Sequence, residues 1–252
     1  MINQEIRNIA KQYLMEQFFC TDEQLLYEGV WFTKNTKTQL AYLKVLSYKE
    51  STIVNVSEDM FSVVKEHLQG KNRDEIFEYP AVYGQTIHYV PDVNLIEEPE
   101  FHLEYTYELL EGNELKKLQG IKGFDNSLVF NSEGQTSTQI VFVAKKDENV
   151  IGIAGAGIVT DKLWEVGIDV KTEYRNGGLG SKLVKKLTLE LLKKDIVPFY
   201  SASVTNIGSQ MVACRAGYIP CWVDTFGNIF DEYYAYDLEA AVGNLKEIHT
   251  EV

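Results

Sequence analysis

Between Tyr174 and Gly180 the chain reads YRNGGLG, three glycines behind an arginine and an asparagine, and runs straight into the leucine- and lysine-rich stretch Leu179 to Leu192. Bare backbone at the start of a helix can do one piece of chemistry well. Its N–H groups have no partner within the helix, and together with the positive end of the helix dipole they bind phosphate. A plain turn uses the same residues, so the flanks must decide. The preceding WEVGIDV alternates, with Glu165, Gly167 and Asp169 on one face of a strand and Trp164, Val166, Ile168 and Val170 on the other. Strand, glycine loop and helix follow one another in the order that aims free amides at a phosphate. Glu165 adds a carboxylate that can accept a proton from an amine, although a surface carboxylate paired with a lysine would look the same.

Other patterns exclude alternatives. The spacing Gly-x-x-x-x-Gly-Lys-Ser/Thr does not occur, which argues against a nucleoside triphosphatase. GIAGAGIV approaches the dinucleotide fingerprint, but no amphipathic helix follows. Gly155 and Gly157 therefore read as places of close backbone packing or a bulge. His67, His88, His102 and His249 are scattered without zinc spacing, so no metal is expected.

The elements that must position these residues can be read from periodicity. Ile2, Ile6, Ile9 and Tyr13 form a helical stripe, QLAYLKVLSY reads as a strand, and SEDMFSVVKEHL reads as a helix capped by Ser57. The acidic, proline-containing segment Leu95 to Glu100 is the expected linker, dividing residues 1–100 from 101–252. Beyond it come a strand in FHLEYTYELL, helices in EGNELKKLQ and DNSLVFN, and two strands in TQIVFVAKKDENVIGIAGAGIV. The strand LWEVGIDV, the helix Leu179 to Leu192, the strand VPFYSASV, the helix IGSQMVACRAGY and the strand DEYYAYDL complete the order. The fold class is α/β (α+β), a mixed sheet with helices on both faces, preceded by a smaller α/β domain.

Composition sets the surroundings. A length of 252 residues suits two domains, and 45% hydrophobic with 24% charged residues is ordinary for a globular protein. A net charge of -13 argues against nucleic acid as a partner. Lys171, Arg175, Lys182, Lys185, Lys186, Lys193 and Lys194 run against this balance around the glycine loop, either as a solvated face or as an attraction for an anion. No apolar run approaches the roughly 20 residues of a membrane span. The N-terminus lacks a signal-peptide core, and Cys20, Cys214 and Cys221 neither pair evenly nor show metal spacing. The cytoplasm is the expected compartment.

Arg175-x-x-Gly178-x-Gly180, followed by a strand, by Asn206 in SVTNIGSQMVACRAGY and by Gly217-Tyr218, resembles the GNAT superfamily of acyl-coenzyme A dependent N-acetyltransferases over Phe101 to about Leu238. Within it, the segments WEVGIDVKTEYRNGGLG, VPFY and NIGSQMVACRAGYIPCW look like a bacterial two-domain subfamily. The resemblance implies acetyl transfer from acetyl-coenzyme A to an amine of a small molecule or peptide. The backbone of Ile168, Asp169 and Val170 would hold the pantetheine arm, and the amides of Asn176, Gly177, Gly178, Leu179 and Gly180 the pyrophosphate. Arg175 would brace the loop or touch phosphate. Asn206, with Ser209 beside it, would bond the arm near the thiol, while capping the helix from Ile207 is the plainer role for both. Glu165 is the expected base.

The superfamily often places an acidic tyrosine seven residues after the asparagine, where this chain has Ala213. Tyr218 is the expected donor in its place, with Tyr200 and Cys214 as substitutes, Cys214 reading as buried. Ala213 also opens a second reading, an acyl-coenzyme A sensor or interaction protein without catalysis. Residues 1–100 are expected to shape acceptor selectivity, or else to cover the sheet or form a homodimer.

Overall fold

The computed structural model describes residues 1–230. In chain order the elements are α1 (Asn3–Phe18), α2 (Asp22–Leu26), β1 (Gly29–Asn35), β2 (Ala41–Tyr48), β3 (Ser51–Ser57), α3 (Phe61–Leu68), α4 (Arg73–Phe77), β4 (Thr86–Pro91) and β5 (Thr106–Glu111). A 3-10 helix (Gly112–Leu118) follows, then β6 (Thr138–Lys146), β7 (Asn149–Ile158), β8 (Leu163–Val170), a 3-10 turn (Thr172–Tyr174), α5 (Leu179–Lys193), β9 (Val197–Ser203), α6 (Ile207–Arg215), β10 (Tyr218–Asp224) and β11 (Asn228–Phe230). The expected strand DEYYAYDL lies outside the described residues.

Two compact units result, Met1–Tyr13 with His88–Pro220, and Leu14–Ile87 with the described residues from Cys221. This division differs from a single cut near residue 100. The expected linker has neither helix nor strand, yet it belongs to the first unit. There Glu98 pairs with Lys186 of α5, and Leu95–Ile96 passes so close to Gly217 that a Cβ at that glycine would stand 2.6 Å from Ile96 Cγ1.

In the first unit the strands lie in the order β4-β9-β8-β7-β6-β5. β5, β6, β7 and β8 are antiparallel neighbours, whereas β8 and β9 are parallel. The fold is a mixed α/β one with a mixed sheet and helices on both faces. Helix α5 covers one face because Leu179, Leu183, Val184, Leu187 and Leu191 recur at helical spacing and are buried. Full burial of each such side chain stabilises by about 1.5–3 kcal/mol. On the other face the 3-10 helix and the segment around Phe124 and Leu128 pack on Val141, Val143 and Ile153. In the second unit β3 lies between β1, parallel to it, and β2, antiparallel to it. α3 and α4 contribute Val64, Leu68 and Ile76 to that core.

Three local readings are corrected. The buried stripe of α1 is Ile6, Ala10, Leu14 and Phe18, while Ile2 is exposed. Ser57 ends β3, where its hydroxyl accepts from the Tyr42 amide, and α3 starts after Met60 without a side-chain cap. DNSLVFN forms no helix. A single turn closes, with the Ser127 and Leu128 amides donating to the Phe124 carbonyl at 3.1 and 2.8 Å, and no helix follows it.

Candidate active site

Strand β8 is where the site begins. Its parallel ladder with β9 runs from Leu163↔Val197 to Val166↔Tyr200, but β8 continues to Val170 and β9 to Ser203. On its other edge β8 stays paired with β7 through Val170↔Gly152. The two parallel strands therefore part at Val166 and Tyr200. Along β8 alternate residues turn their N–H and C=O to opposite edges, and the Lys162 carbonyl, which accepts from the Val197 amide, puts the even-numbered ones toward β9. Beyond Val166 it is therefore Ile168 and the amide of Val170 that offer the gap groups the ladder does not use, while Gly167 and Asp169 turn theirs to β7.

At the wide end of this gap sits the glycine loop. Arg175 braces it, its Nε donating to the Val170 carbonyl at 2.8 Å. Asn176 and Gly178 take left-handed conformations, φ 66° and 77°, which asparagine tolerates and glycine adopts without strain. Gly178 is the N-cap of α5, and no side chain caps the helix. Ser181 instead donates back to the Gly178 carbonyl at 2.9 Å. The first amides of α5 are thus left for a ligand. A Cβ at Gly177 would meet nothing within 4 Å, and one at Gly180 would make only ordinary contacts, 3.5 Å from Ile168 Cγ1 and Val170 Cγ2. Packing does not require glycine at either position.

Across the gap, Asn206 caps α6, its Oδ1 accepting from the Ser209 amide at 3.1 Å. The Ser209 hydroxyl lies 2.7 Å from the Tyr200 hydroxyl. Burial pushes the Tyr200 phenol above its usual range, and the Ser209 hydrogen bond offsets part of that rise. Tyr218 lies elsewhere. Like Tyr200 it is 2% exposed, but its hydroxyl is 2.6 Å from Thr188 Oγ1 on α5, and burial pushes its phenol strongly up. It does not line the cleft, whereas Tyr200 does. Ala213 is fully buried, and Cys214, read from the sequence as buried, is exposed.

The face of β8 that carries Glu165, Gly167 and Asp169 is built from side chains. Ser201 of β9 donates to Glu165 Oε1, and Glu165 is exposed on the cleft wall. Asp169 is fully engaged. Its Oδ2 accepts from the Asn126 amide at 2.9 Å, the Ser127 amide at 2.9 Å and the Ser127 hydroxyl at 3.0 Å. Its Oδ1 accepts from Asn126 Nδ2 at 2.6 Å. Two glycines make room for this segment. A Cβ at Gly167 would stand 1.8 Å from the Asn126 carbonyl oxygen and one at Gly155 1.9 Å from that of Ser127. The expected close backbone approach at Gly155 is therefore what the structure shows, with the turn at Asn126 and Ser127 as the neighbour.

One cleft of about 940 Å³ joins these parts, from Gly178 and Gly180 past Ile168 and Tyr200 to Glu165 and Ile158. It gathers every expected site residue except Gly177 and Tyr218. Sequence reasoning missed Asn126, Ser127 and Ser201. The available signal was the pair Gly155 and Gly167, because a glycine in a strand interior asks for a backbone neighbour.

Residues 104–221 match the model of the GNAT acetyltransferase family. That match, a little under half of the chain, marks residues 104–221 as a GNAT acetyltransferase domain. Among solved structures, a GCN5-related N-acetyltransferase-like protein of Streptococcus suis is 14% identical, with 90% of this chain and 100% of that one covered and a TM-score of 0.47. A GCN5-related N-acetyltransferase of Kribbella flavida is 17% identical, covering 75% and 69%, at 0.47. One from Sphaerobacter thermophilus is 12% identical, covering 75% and 60%, at 0.46. No curated protein matches the chain. Among the described residues, no helix is long and apolar enough to cross a membrane.

Proposed function

We propose that this chain transfers an acetyl group from acetyl-coenzyme A to an amine. The observation that carries the reading is one cleft with a parted strand pair along it and an uncapped, glycine-lined helix start at its end. The fit to coenzyme A is good on two counts. Free amides at Leu179 and Gly180 suit a pyrophosphate, with open space at Gly177 and Gly178 for its approach. The edge of Ile168 and Val170 beyond the β9 ladder suits an arm that bonds as an added strand would. Asn206 and Ser209 border the same cleft.

When bound, acetyl-coenzyme A supplies the acetyl group as an activated thioester. Glu165 takes the proton that an ammonium acceptor must lose before it can attack, and Ser201 fixes the carboxylate by its hydrogen bond. Tyr200 holds a proton at its hydroxyl, kept there by burial and oriented by Ser209, and can give it to a departing thiolate. Tyr200 takes this role in place of Tyr218, whose hydroxyl is occupied in the core. A phenol from β9 also removes the reason to read Ala213 as a mark of lost catalysis.

The test is calorimetric titration with coenzyme A, followed by thiol release from acetyl-coenzyme A with spermidine, tyramine and a hexapeptide bearing a free N-terminus. Binding together with amine-dependent release is expected. Absence of coenzyme A binding overturns the reading, and binding without release for any amine replaces catalysis with sensing.

A further inference from the structure

We infer that Asp169 is a positioning residue that holds the turn at Asn126 and Ser127 as a preformed wall beside Glu165, on the side of the cleft where the acceptor amine must be deprotonated. The inference rests on the functional reading above for the word acceptor, and on geometry for the rest. Glu165, Gly167 and Asp169 share one face of β8. The turn lies on that face over Gly167, one alternation from Glu165, and crosses to Gly155 on β7. Asn126 and Ser127 line the cleft.

The turn is anchored from both sides. Phe124 and Leu128, both buried, flank it in the core, and the Thr138 hydroxyl donates to the Ser127 carbonyl at 3.2 Å. Asp169 meets four donors of the turn, two of which, the Ser127 amide and hydroxyl, it shares with the Phe124 carbonyl. A carboxylate meets that demand because it is acceptor-only at both oxygens. An amide of the same shape meets it only in part. With its oxygen toward the donors on the Oδ2 side, its NH2 faces Asn126, whose own amide must turn over to accept, and no charge remains to strengthen the bonds. Asp169 is therefore spent as an acceptor and is not available as a base, while its strand presents backbone to the donor arm. One side chain links the strand that carries the donor to the wall that meets the acceptor.

Three variants of the full chain test this: Asp169→Asn, Gly167→Ala, and Asp169→Asn combined with Asn126→Asp. The double change puts a carboxylate opposite the new NH2 and restores a charged acceptor to the pair. In Asp169→Asn, amide exchange at positions 126 and 127 should accelerate roughly tenfold or more, the factor that the loss of one charge-assisted hydrogen bond represents. With the most active of the three amines named above, KM for the amine should rise while kcat holds. Gly167→Ala, which lifts the turn without touching the carboxylate, should behave alike, and the double variant should recover slow exchange and the original KM. Unaltered exchange in Asp169→Asn, or no recovery in the double variant, overturns the clasp. Faster exchange with an unmoved KM overturns the positioning role. Failure of the unmodified protein to bind coenzyme A, or to release thiol with any amine, counts against acyl transfer instead, and the exchange result still judges the clasp.

Discussion

The two ends of the cleft are made of different material. At the glycine loop the groups offered to a ligand are backbone: the amides of an uncapped helix start and the free edge of β8 beyond Val166. Around Glu165 they are side chains, each held by another, with Ser201 on Glu165, Ser209 on Tyr200 and Asp169 on the turn at Asn126 and Ser127. Backbone recognition depends on conformation, so it fails when a residue cannot adopt the required φ. Side-chain chemistry depends on identity, so it fails when one atom changes. The contrast can be broken or sharpened by substitutions at the two ends.

The largest effect is expected at the side-chain end. Glu165→Gln keeps shape and hydrogen-bond capacity but removes the proton acceptor, so kcat should fall about 100-fold or more. Coenzyme A affinity, measured by titration, should not move. Tyr200→Phe should lower kcat by about 100-fold, at the weaker end of acid-base effects. Tyr218→Phe is its control. It removes the hydroxyl bonded to Thr188, and should cost about 1 kcal/mol in denaturant unfolding with turnover intact. Equal losses of turnover in the two variants would erase the distinction between phenols drawn here.

At the backbone end the signature reverses. Gly178→Val forces a β-branched residue into φ 77°, a strain of about 1–3 kcal/mol. The loop should leave its conformation, weakening coenzyme A about tenfold or more while thermal unfolding shows a folded protein. Retention of full affinity would move the pyrophosphate away from this loop. The smallest effect is expected for Asn206→Ala. Loss of the cap on α6 should cost about 1 kcal/mol of stability, with a modest fall in coenzyme A affinity beyond it only if Asn206 also bonds the arm.

Much of the donor end is legible locally. The bounds of β8 and the start of α5 follow from alternation in LWEVGIDV and from leucines at helical spacing after the last glycine, both patterns that complete themselves within a few residues. The other end is not legible that way. Phe124 and Leu128 stand four apart, which reads as a helix, but only one turn forms, and the amides of Asn126 and Ser127 meet a carboxylate more than 40 residues later. Cys214 lies among small residues, yet α6 is only nine residues long and turns that side outward. Tyr200 and Tyr218 are equally plausible phenols on paper. They part because β9 carries the first to the place where the strands separate, while the second starts β10 under α5.

By itself, then, the sequence determined the elements around the glycine loop and the chemistry that bare amides at a helix start can perform, because those depend on neighbours within one strand or one turn. Only the tertiary structure decided which phenol meets the cleft, that Asp169 clasps a turn, and why Gly155 and Gly167 are glycine. Each of these depends on contacts between residues far apart in the chain. The hydrogen bonds of Asp169, 2.6–3.0 Å long, and the room at Gly155 and Gly167 are set by how β7, β8 and β9 pair and part, which no local pattern of residues encodes.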